Sequence, residues 1–300
     1  MSNLKKSFQG IFPILSTPSD KNGNIVFEDL RKQVEWMINN GVNGVGIAIA
    51  SEIYKYSEKE RDEILSTVVD QVNGRVIVVM NTGGESTDLS IHYSKKAIEL
   101  GADALMIRPA TFIPTTFQEN INYFTEISKT VKCPIFMQDQ SSAQISPKLA
   151  IECAKRSDNL CYIKVETPPT IPRIMELVSL KANENIKIFG GAGGAYCVEE
   201  FSRGSIGTMP GSTMPDVWVK IWNNFMSGEV EEAYKIQNRF SPLIKILSQT
   251  LGLSAFIYKY IMIRRGIFSE DSGYVRGPSL RPDNLHFKEI DMLLEELELI

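Results

Sequence analysis

Residues 44–82, "GVGIAIASEIYKYSEKERDEILSTVVDQVNGRVIVVMNT", contain the pattern from which the fold of this chain is predicted. An apolar run at 44–49 precedes an amphipathic segment that opens with Ser57 and Glu60, the spacing of a helix capping box, and a second apolar run follows at 75–82. Strand, helix and strand with short connections predict a right-handed βαβ unit. Both strand runs are continuously apolar, as in parallel strands that are covered on both faces.

The same alternation recurs along the chain. Eight short apolar stretches are candidate strands, at 10–18, 44–49, 75–82, 102–109, 134–139, 161–166, 186–190 and 205–211. Eight such units predict an α/β fold of the (β/α)8 TIM-barrel type with a C-terminal helical extension. We expect the barrel over residues 1–214, and the last barrel helix with the extension over residues 215–300, as one structural domain.

Composition excludes several classes of function. The chain has 300 residues, is 43% apolar and carries a net charge of −4, so it lacks the basic surface of a nucleic-acid-binding protein. No apolar run approaches the ~20 residues that span a bilayer, and the N-terminus lacks the long apolar region of a signal peptide. We therefore expect a cytoplasmic protein that binds neither nucleic acid nor membrane.

Cysteine and histidine usage argues against metal and cofactor sites. The four cysteines form no CxxC pair, so buried free thiols are expected, and the two histidines have no ligand spacing. Neither GxGxxG after a strand nor a P-loop motif occurs. The prediction is that the protein uses no metal and no cofactor.

The stretch 161–169, "CYIKVETPP", places a lysine inside a strand. Lys164 lies near the C-terminal end of predicted strand six, the end at which barrel active sites form. Because side chains alternate along a strand, it shares a face with Tyr162 and Glu166. If that face points inward, desolvation favours an uncharged amine that can attack a carbonyl. The residues alone leave open a structural lysine at the barrel rim.

Several stretches resemble one family over nearly the whole chain. They are "GIFPILSTP", "NGVNGVGIAIASEIYKYSEKERDEIL", "VIVVMNTG", "GADALMIRP", "PIFMQD" and "YIKVETP". The chain is similar to the dihydrodipicolinate synthase / N-acetylneuraminate lyase family of Schiff-base barrel enzymes. That resemblance implies that Lys164 forms the Schiff base with a small 2-oxo acid.

Departures from the family pattern concern the substrate. After strand two the family reads G-[TS]-T-G-E, where this chain has Ala48-Ile49-Ala50-Ser51-Glu52. Either Ser51 and the neighbouring backbone amides, including that of Ala50, hold the substrate carboxylate, or the carboxylate is held differently. Glu52 is expected to cap nearby backbone. After strand five the family reads Y-N-x-P, and here Gln138 stands in place of the proton-relay tyrosine.

Two further losses argue against the lysine-biosynthetic reaction. The segment 141–146, "SSAQIS", lacks the arginine of the synthases, and Ala110 and Thr111 stand where the synthases carry a tyrosine pair. The closest resemblance is to the branch of L-2-keto-3-deoxyarabonate dehydratases. It implies a lyase, here a hydro-lyase, that dehydrates a 2-oxo-3-deoxy sugar acid of carbohydrate metabolism.

In that chemistry Asp139 and Glu166 are the candidate proton carriers beside Gln138. Asp139 has the alternative of a helix cap or loop hydrogen bond, and Glu166 the alternative of orienting Lys164. Further candidate substrate-binding residues lie in the loops that follow strands six, seven and eight: Thr167, Gly190, Gly191 and Met209.

Two other functions remain open. One is a pyruvate-dependent aldolase of the same family, acting on a 2-keto-3-deoxy acid or resembling dihydrodipicolinate synthase. The other is a barrel that binds a 2-oxo acid without catalysis. The resemblance also implies a homo-oligomer, a tetramer or dimer, for which Phe112 and Phe117 offer apolar contact surface.

Overall fold

The computed structural model describes residues 8–180 and 186–300. Within these residues eight strands alternate with helices, as the sequence predicts. The strands are β1 (Gly10–Ile11), β2 (Gly44–Ile47), β3 (Ile77–Asn81), β4 (Ala104–Ile107), β5 (Ile135–Asp139), β6 (Tyr162–Val165), β7 (Lys187–Gly190) and β8 (Gly207–Thr208). Each is shorter than its predicted stretch, because the ends of those stretches already belong to the connecting loops.

The strands form one parallel sheet in the order β1-β8-β7-β6-β5-β4-β3-β2. The two outer strands meet through Ile14, which bridges in parallel both to Gly46 and to Gly211. Leu15 N then donates a hydrogen bond of 2.8 Å to Gly46 O. The sheet is thereby nearly closed on itself, which confirms the predicted (β/α)8 TIM barrel.

Helices cover the outside of the sheet. They are α1 (Phe27–Asn39), α2 (Glu58–Val72), α3 (Thr87–Glu99), α4 (Phe117–Ser128), α5 (Pro147–Ala154), α6 (Thr170–Leu180), α7 (Cys197–Phe201), α8 (Pro215–Met226), α9 (Val230–Leu247), α10 (Leu251–Arg264) and α11 (Asn284–Glu296). The capping box that opens α2 is formed, with Ser57 and Glu60 bonded to each other's backbone amides. Among the described residues, none of these helices is both long and apolar enough to cross a bilayer.

Aromatic side chains fill the barrel interior beneath the mouth. Phe136 and Tyr162 stack with ring centroids 4.5 Å apart, and Phe12 meets Phe189 edge-on at 5.2 Å. Lys164 is two residues beyond Tyr162 on the same strand face, so it lies one layer above this apolar floor. A second apolar cluster fills the space between strands and helices.

The helices after β8 share that outer cluster with the barrel. Trp218 of α8, Ile257 of α10 and Leu294 of α11 are all buried in it. On these shared contacts we propose that residues 215–300 supply the last barrel helix and an extension that belong to one structural domain with residues 1–214. The placement of α10 matters for function, because its first turns reach the barrel mouth.

Candidate active site

A cavity of about 610 Å³ opens at the C-terminal ends of the strands. Its floor carries Lys164, Gln138 and Glu166, and one wall comes from the beginning of α10. Its lining combines strand ends, the loops that follow them and the α9–α10 connection. The mouth of the barrel and the C-terminal extension therefore build the site together.

Lys164 is buried, with only 2% of its surface exposed. Its Nζ lies 2.8 Å from Glu166 Oε1, so the amine and the carboxylate form an ion pair. The two side chains share a face because they are two residues apart on a strand and its extension. The pairing gives the amine a proton acceptor in direct contact, which the desolvation argument from sequence did not require.

The side-chain amide of Gln138 forms one hydrogen bond through its nitrogen and one through its oxygen. Its Nε2 donates to Glu166 Oε2 at 2.8 Å, and its Oε1 accepts from Asn81 Nδ2 at 3.0 Å. Strand register places Gln138 beside Lys164 on β5 and β6. A chain of four polar groups thus runs from Lys164 through Glu166 and Gln138 to Asn81, and only Glu166 is partly exposed.

The structure places Asp139 apart from this chain. It is the next residue along β5, so its side chain points to the opposite face of the strand. Arg173 donates two hydrogen bonds of 2.9 Å to the carboxylate, and Thr167 Oγ1 and Ile145 N each donate one of 2.8 Å. Burial raises the pKa of Asp139, and these hydrogen bonds oppose the rise. The carboxylate and Thr167 together anchor the loops behind the mouth.

The segment after β2 contributes backbone to the site. Ala48, Ile49 and Ala50 line the cavity. Ser51 faces away, since its hydroxyl donates to Leu15 O at 2.5 Å and accepts from Ala48 N at 3.1 Å. The predicted contact of the Ser51 hydroxyl with substrate therefore has no support in this geometry, whereas the amides of Ile49 and Ala50 open a 3-10 turn that faces the cavity.

Glu52 is buried behind this segment in a left-handed backbone conformation, with φ of 58°. Its Oε2 accepts from Lys259 Nζ at 3.3 Å, and that amine also donates to Tyr274 O at 2.6 Å. Burial lowers the pKa of Lys259 to about 8, although Glu52 opposes the change. Glu52 does not cap the backbone as predicted from sequence, and instead it ties the cavity segment to α10.

Two glycines at the end of β7 make room for carboxyl groups. A Cβ on Gly191 would lie 2.2 Å from Glu166 Cγ, and a Cβ on Gly190 would lie 1.9 Å from Glu200 Oε2. Neither glycine lines the cavity, whereas Ala192, Gly193 and Met209 do. Gly191 thus acts on the site indirectly, by allowing Glu166 to reach Lys164.

Sequence reasoning missed several residues of this region. Asn81, Lys259, Glu200 and Tyr258 were not singled out, and each is brought to the site by long-range packing. Glu200 is wholly buried, and burial raises the pKa of its carboxyl to about 8. Only Asn81 carried a signal in the sequence, since it lies near the C-terminal end of the predicted strand 75–82, where barrel active sites form.

Within residues 8–180 and 186–300, no group of three histidine, cysteine or acidic side chains is arranged to hold a metal ion. The four cysteines are free; Cys153 and Cys197 are buried, while Cys133 and Cys161 are partly exposed. The groups at the cavity floor are the amine of Lys164, the carboxylate of Glu166 and the amide of Gln138.

Comparison with known proteins places this site in a family. The chain matches the Dihydrodipicolinate synthetase family over residues 7–297. It is 27% identical over 283 residues to the L-2-keto-3-deoxyarabonate dehydratase of Azospirillum brasilense, covering 92% of this chain and 90% of that protein. It is 26% identical over 309 residues to the 4-hydroxy-tetrahydrodipicolinate synthase of Methanocaldococcus jannaschii, covering 98% of this chain and 100% of that protein.

A solved structure shows the same fold. The dihydrodipicolinate synthase of Thermotoga maritima superposes with a TM-score of 0.90 at 22% identity, covering 98% of this chain and 99% of that one. The family match extends over nearly the entire chain and includes every strand of the barrel. The chain therefore belongs to the dihydrodipicolinate synthetase family and is a lyase of that family.

Proposed function

We propose that this lyase forms a Schiff base through Lys164 and dehydrates a 2-oxo-3-deoxy sugar acid. The observation that carries the proposal is the contact of 2.8 Å between Nζ of the buried Lys164 and Glu166 Oε1 on the floor of a cavity. An amine becomes a nucleophile once a neighbouring base has taken its proton. Glu166 is such a base, and it needs no conformational change to act.

The first step is condensation at the C2 ketone. Glu166 takes a proton from the ammonium of Lys164, and the free amine attacks C2 to give a carbinolamine. Glu166 returns that proton to the C2 hydroxyl, which leaves as water, so Glu166 is a carboxylate again. The resulting iminium withdraws electrons and acidifies the protons on C3. The low exposure of Lys164 favours this step, because bulk water competes poorly at a dry floor.

Glu166 is also placed for the second step. C3 of the substrate is two bonds from Lys164 Nζ, so a carboxylate that touches Nζ is within reach of a C3 proton. Removing that proton gives an enamine, from which the C4 hydroxyl can leave. Gln138 holds the second carboxylate oxygen, which fixes the direction of the first. We assign to this pair the proton transfer that a tyrosine performs elsewhere in the family.

The substrate carboxylate fits the segment after β2. Ile49 and Ala50 line the cavity and begin a short 3-10 turn, whose first N–H groups have no partner within the turn, and backbone N–H groups are good carboxylate donors. The Schiff-base carbon lies next to the carboxylate in any 2-oxo acid. The two features of a 2-oxo acid therefore have matching groups at one end of the cavity.

The rest of the lining favours a neutral, hydroxylated tail. Among the described residues that line the cavity, Lys164 is the only basic one and Glu166 the only acidic one. Several hydroxyl and amide side chains line the other walls: Gln140, Ser141, Ser142, Ser248, Gln249, Thr250 and Ser254. A second carboxylate or a phosphate would lack a cationic partner there. The lining thus supports a sugar acid with hydroxyls beyond C3.

Two alternative functions would use the same residues at the cavity floor, Lys164 and Glu166. A pyruvate-dependent aldolase would need the same Schiff base, and the likeness to a 4-hydroxy-tetrahydrodipicolinate synthase favours it. No arginine that could hold a second carboxylate is among the described residues lining the cavity, which counts against that particular substrate. A barrel that only binds 2-oxo acids would form no covalent adduct.

The four free cysteines suit the reducing cytoplasm, which we propose as the site of action.

Borohydride trapping tests the proposal. The protein is incubated with pyruvate or with L-2-keto-3-deoxyarabonate, reduced, and weighed as an intact protein by mass spectrometry. We expect an adduct with wild type and none with Lys164→Ala, while circular dichroism shows that the variant is folded. Lys187→Ala is the matched control, because Lys187 begins β7 at the far end of the barrel. An adduct that persists in Lys164→Ala would locate the nucleophile elsewhere.

Product analysis separates the alternatives. Consumption of the sugar acid without release of an aldehyde supports dehydration. Release of pyruvate and an aldehyde supports the aldolase, and no adduct with any 2-oxo acid supports a binding protein.

A further inference from the structure

A phenol in the cavity takes no part in condensation at C2 or in removal of the C3 proton. Tyr258 of α10 lines the same cavity as Lys164 and Glu166, and 8% of its surface is exposed. Within residues 8–180 and 186–300 no hydrogen bond involves its hydroxyl. A tyrosine hydroxyl usually finds a partner when the ring is buried. This one remains available to a molecule that enters the cavity.

Gly211 allows the ring to reach the mouth. A Cβ on Gly211 would lie 2.4 Å from Cε1, 2.7 Å from Cζ and 2.7 Å from Oη of Tyr258. Gly211 follows β8 and bridges to Ile14 beyond β1, so the phenol rests on the β8–β1 rim. Lys164 lies on β6, and β7 stands between the two positions. The phenol and the amine therefore face one cavity from different sides.

The electrostatic environment keeps the phenol protonated. Burial raises the pKa of Tyr258 to about 12, and the negative charge of Glu166 contributes to the rise. A phenol with such a pKa is a proton donor at neutral pH and is not a resting base. Gln138 at the position of the family's relay tyrosine has no acidic proton to offer.

We propose that Tyr258 is a catalytic residue that protonates the oxygen leaving from C4 of the 2-oxo-3-deoxy acid. The proposal rests on the proposed function, and it places the acid on the C-terminal extension. Ser254, one helical turn earlier, lines the same wall, and because its Oγ already donates to Leu247 O, it is an acceptor for the remaining hydroxyls of the substrate.

Atoms and electrons balance in this step. In the enamine, the C2=C3 electron pair moves to form C3=C4 while the nitrogen lone pair restores the iminium. The C4–O bond breaks with both electrons on oxygen, and the proton of Tyr258 Oη joins that oxygen, which leaves as water. The phenolate regains a proton from solvent, and Glu166 returns to solvent the proton taken from C3. Hydrolysis of the iminium then frees Lys164 and an unsaturated 2-oxo acid.

Tyr258→Phe tests the proposal with three readouts. The first is borohydride trapping of pyruvate, and the second is deuterium exchange of the pyruvate methyl group in D₂O, followed by NMR. Pyruvate has no C4 hydroxyl, so both should match wild type. The third is dehydration of L-2-keto-3-deoxyarabonate and related 4-hydroxy-2-oxo acids, which should fall by about 10²–10⁴-fold. The trapped sugar-acid adduct should then be heavier than that of wild type by one water.

Control variants test whether the effect is specific to the hydroxyl of Tyr258. Tyr260→Phe removes a hydroxyl from the same helix that bonds Asp291 instead, and it should dehydrate like wild type. Glu166→Gln should lose deuterium exchange, unlike Tyr258→Phe. If Tyr258→Phe fails to fold, Gly211→Ala displaces the ring while keeping the phenol, and it should lower dehydration without lowering trapping.

Several results would overturn the proposal. Dehydration by Tyr258→Phe within about threefold of wild type removes Tyr258 from the C4 step. If wild type forms a trapped adduct with pyruvate but dehydrates no 4-hydroxy-2-oxo acid, the proposed role of Tyr258 is also wrong, whereas Schiff-base formation by the protein is retained. Absence of every adduct in wild type removes the proposed function itself, and the Tyr258 step with it.

Discussion

Gln138 Nε2 donates a hydrogen bond of 2.8 Å to Glu166 Oε2, while Lys164 Nζ lies 2.8 Å from Oε1 of the same carboxylate. Gln138 therefore binds the carboxylate that we propose as the base, through the oxygen that does not contact Lys164. Asn81 fixes the amide from its other end, so the orientation of Gln138 is set by two bonds.

This relationship predicts a moderate effect of Gln138→Ala. Loss of one hydrogen bond to the base should lower kcat by about 10–100-fold, as expected for ~1–3 kcal/mol. Steady-state kinetics on the sugar acid measures it, and Asn81→Ala should lose less because it acts through Gln138. Gln138→Tyr adds a second test: aldolase activity would show that the rest of the site still suits an aldolase. A kcat of Gln138→Ala equal to that of wild type would contradict the assignment.

Asp139→Asn should affect stability rather than catalysis. The change removes the charge that Arg173 contacts through two hydrogen bonds, and a broken buried pair costs about 3–5 kcal/mol. Thermal unfolding should show a lower Tm, while kcat of the folded variant stays within about threefold of wild type. A loss of 10²-fold or more in kcat would instead restore Asp139 as a proton carrier.

Glu200 should make folding stability depend on pH. Its pKa is raised from 4.5 to about 8 by burial, and Thr170 Oγ1 bonds only one of its oxygens, at 2.7 Å. Below pH 4.5 the carboxyl is protonated in both the folded and the unfolded chain. As pH rises toward about 8, the unfolded chain loses this proton first, so stability falls until the folded chain also ionises.

Glu200→Gln removes the ionisable carboxyl, so the free energy of unfolding should depend less on pH. The free energy of unfolding, measured by urea titration from pH 5 to 9, should decline less in the variant. The difference between the two proteins should grow by up to ~1.4 kcal/mol per pH unit. A constant difference across that range would mean that Glu200 is ionised throughout. Glu199→Gln is the control on the neighbouring position.

The buried pair of Glu52 and Lys259 should show strong coupling. Lys259→Met leaves Glu52 without its cation and should cost about 3–5 kcal/mol of unfolding free energy. Glu52→Gln combined with Lys259→Met should cost less than the sum of the single changes, because no unpaired charge remains. A double-mutant cycle by chemical denaturation measures the difference, and strict additivity would contradict the coupling.

The loop after β4 predicts association between copies of the chain. Phe112 is 88% exposed and Ile113 is 68% exposed. Adjacent apolar side chains that are exposed to water indicate a surface that contacts another protein chain. We expect a dimer or tetramer in sedimentation velocity, and a smaller species for Phe112→Ser combined with Ile113→Ser. Leu280→Ser is the control, since Leu280 is similarly exposed at another surface. A monomeric wild type at micromolar concentration would contradict this expectation.

Local patterns predicted much of the fold. Continuous apolar runs identified the eight strands, and the Ser57–Glu60 capping box identified the beginning of α2. The contact between Lys164 and Glu166 was also accessible, because residues two apart on a strand share a face. The same rule assigns Asp139 to the face opposite Gln138, and the sequence hypothesis that grouped the two overlooked it.

The tertiary structure decided the rest of the site. Tyr258 and Lys259 lie almost a hundred residues after Lys164, on a helix that is apolar nearly all round, so no periodicity marks the face that meets the cavity. Ser51 turned to the backbone of Leu15, which depends on how the barrel closes between β1 and β2. Alternation along a strand is a local property of the chain, so the sequence by itself determined which neighbouring side chains share a face. Which side chain from a distant helix fills the mouth depends on packing among segments far apart in sequence, and only the folded chain determines that.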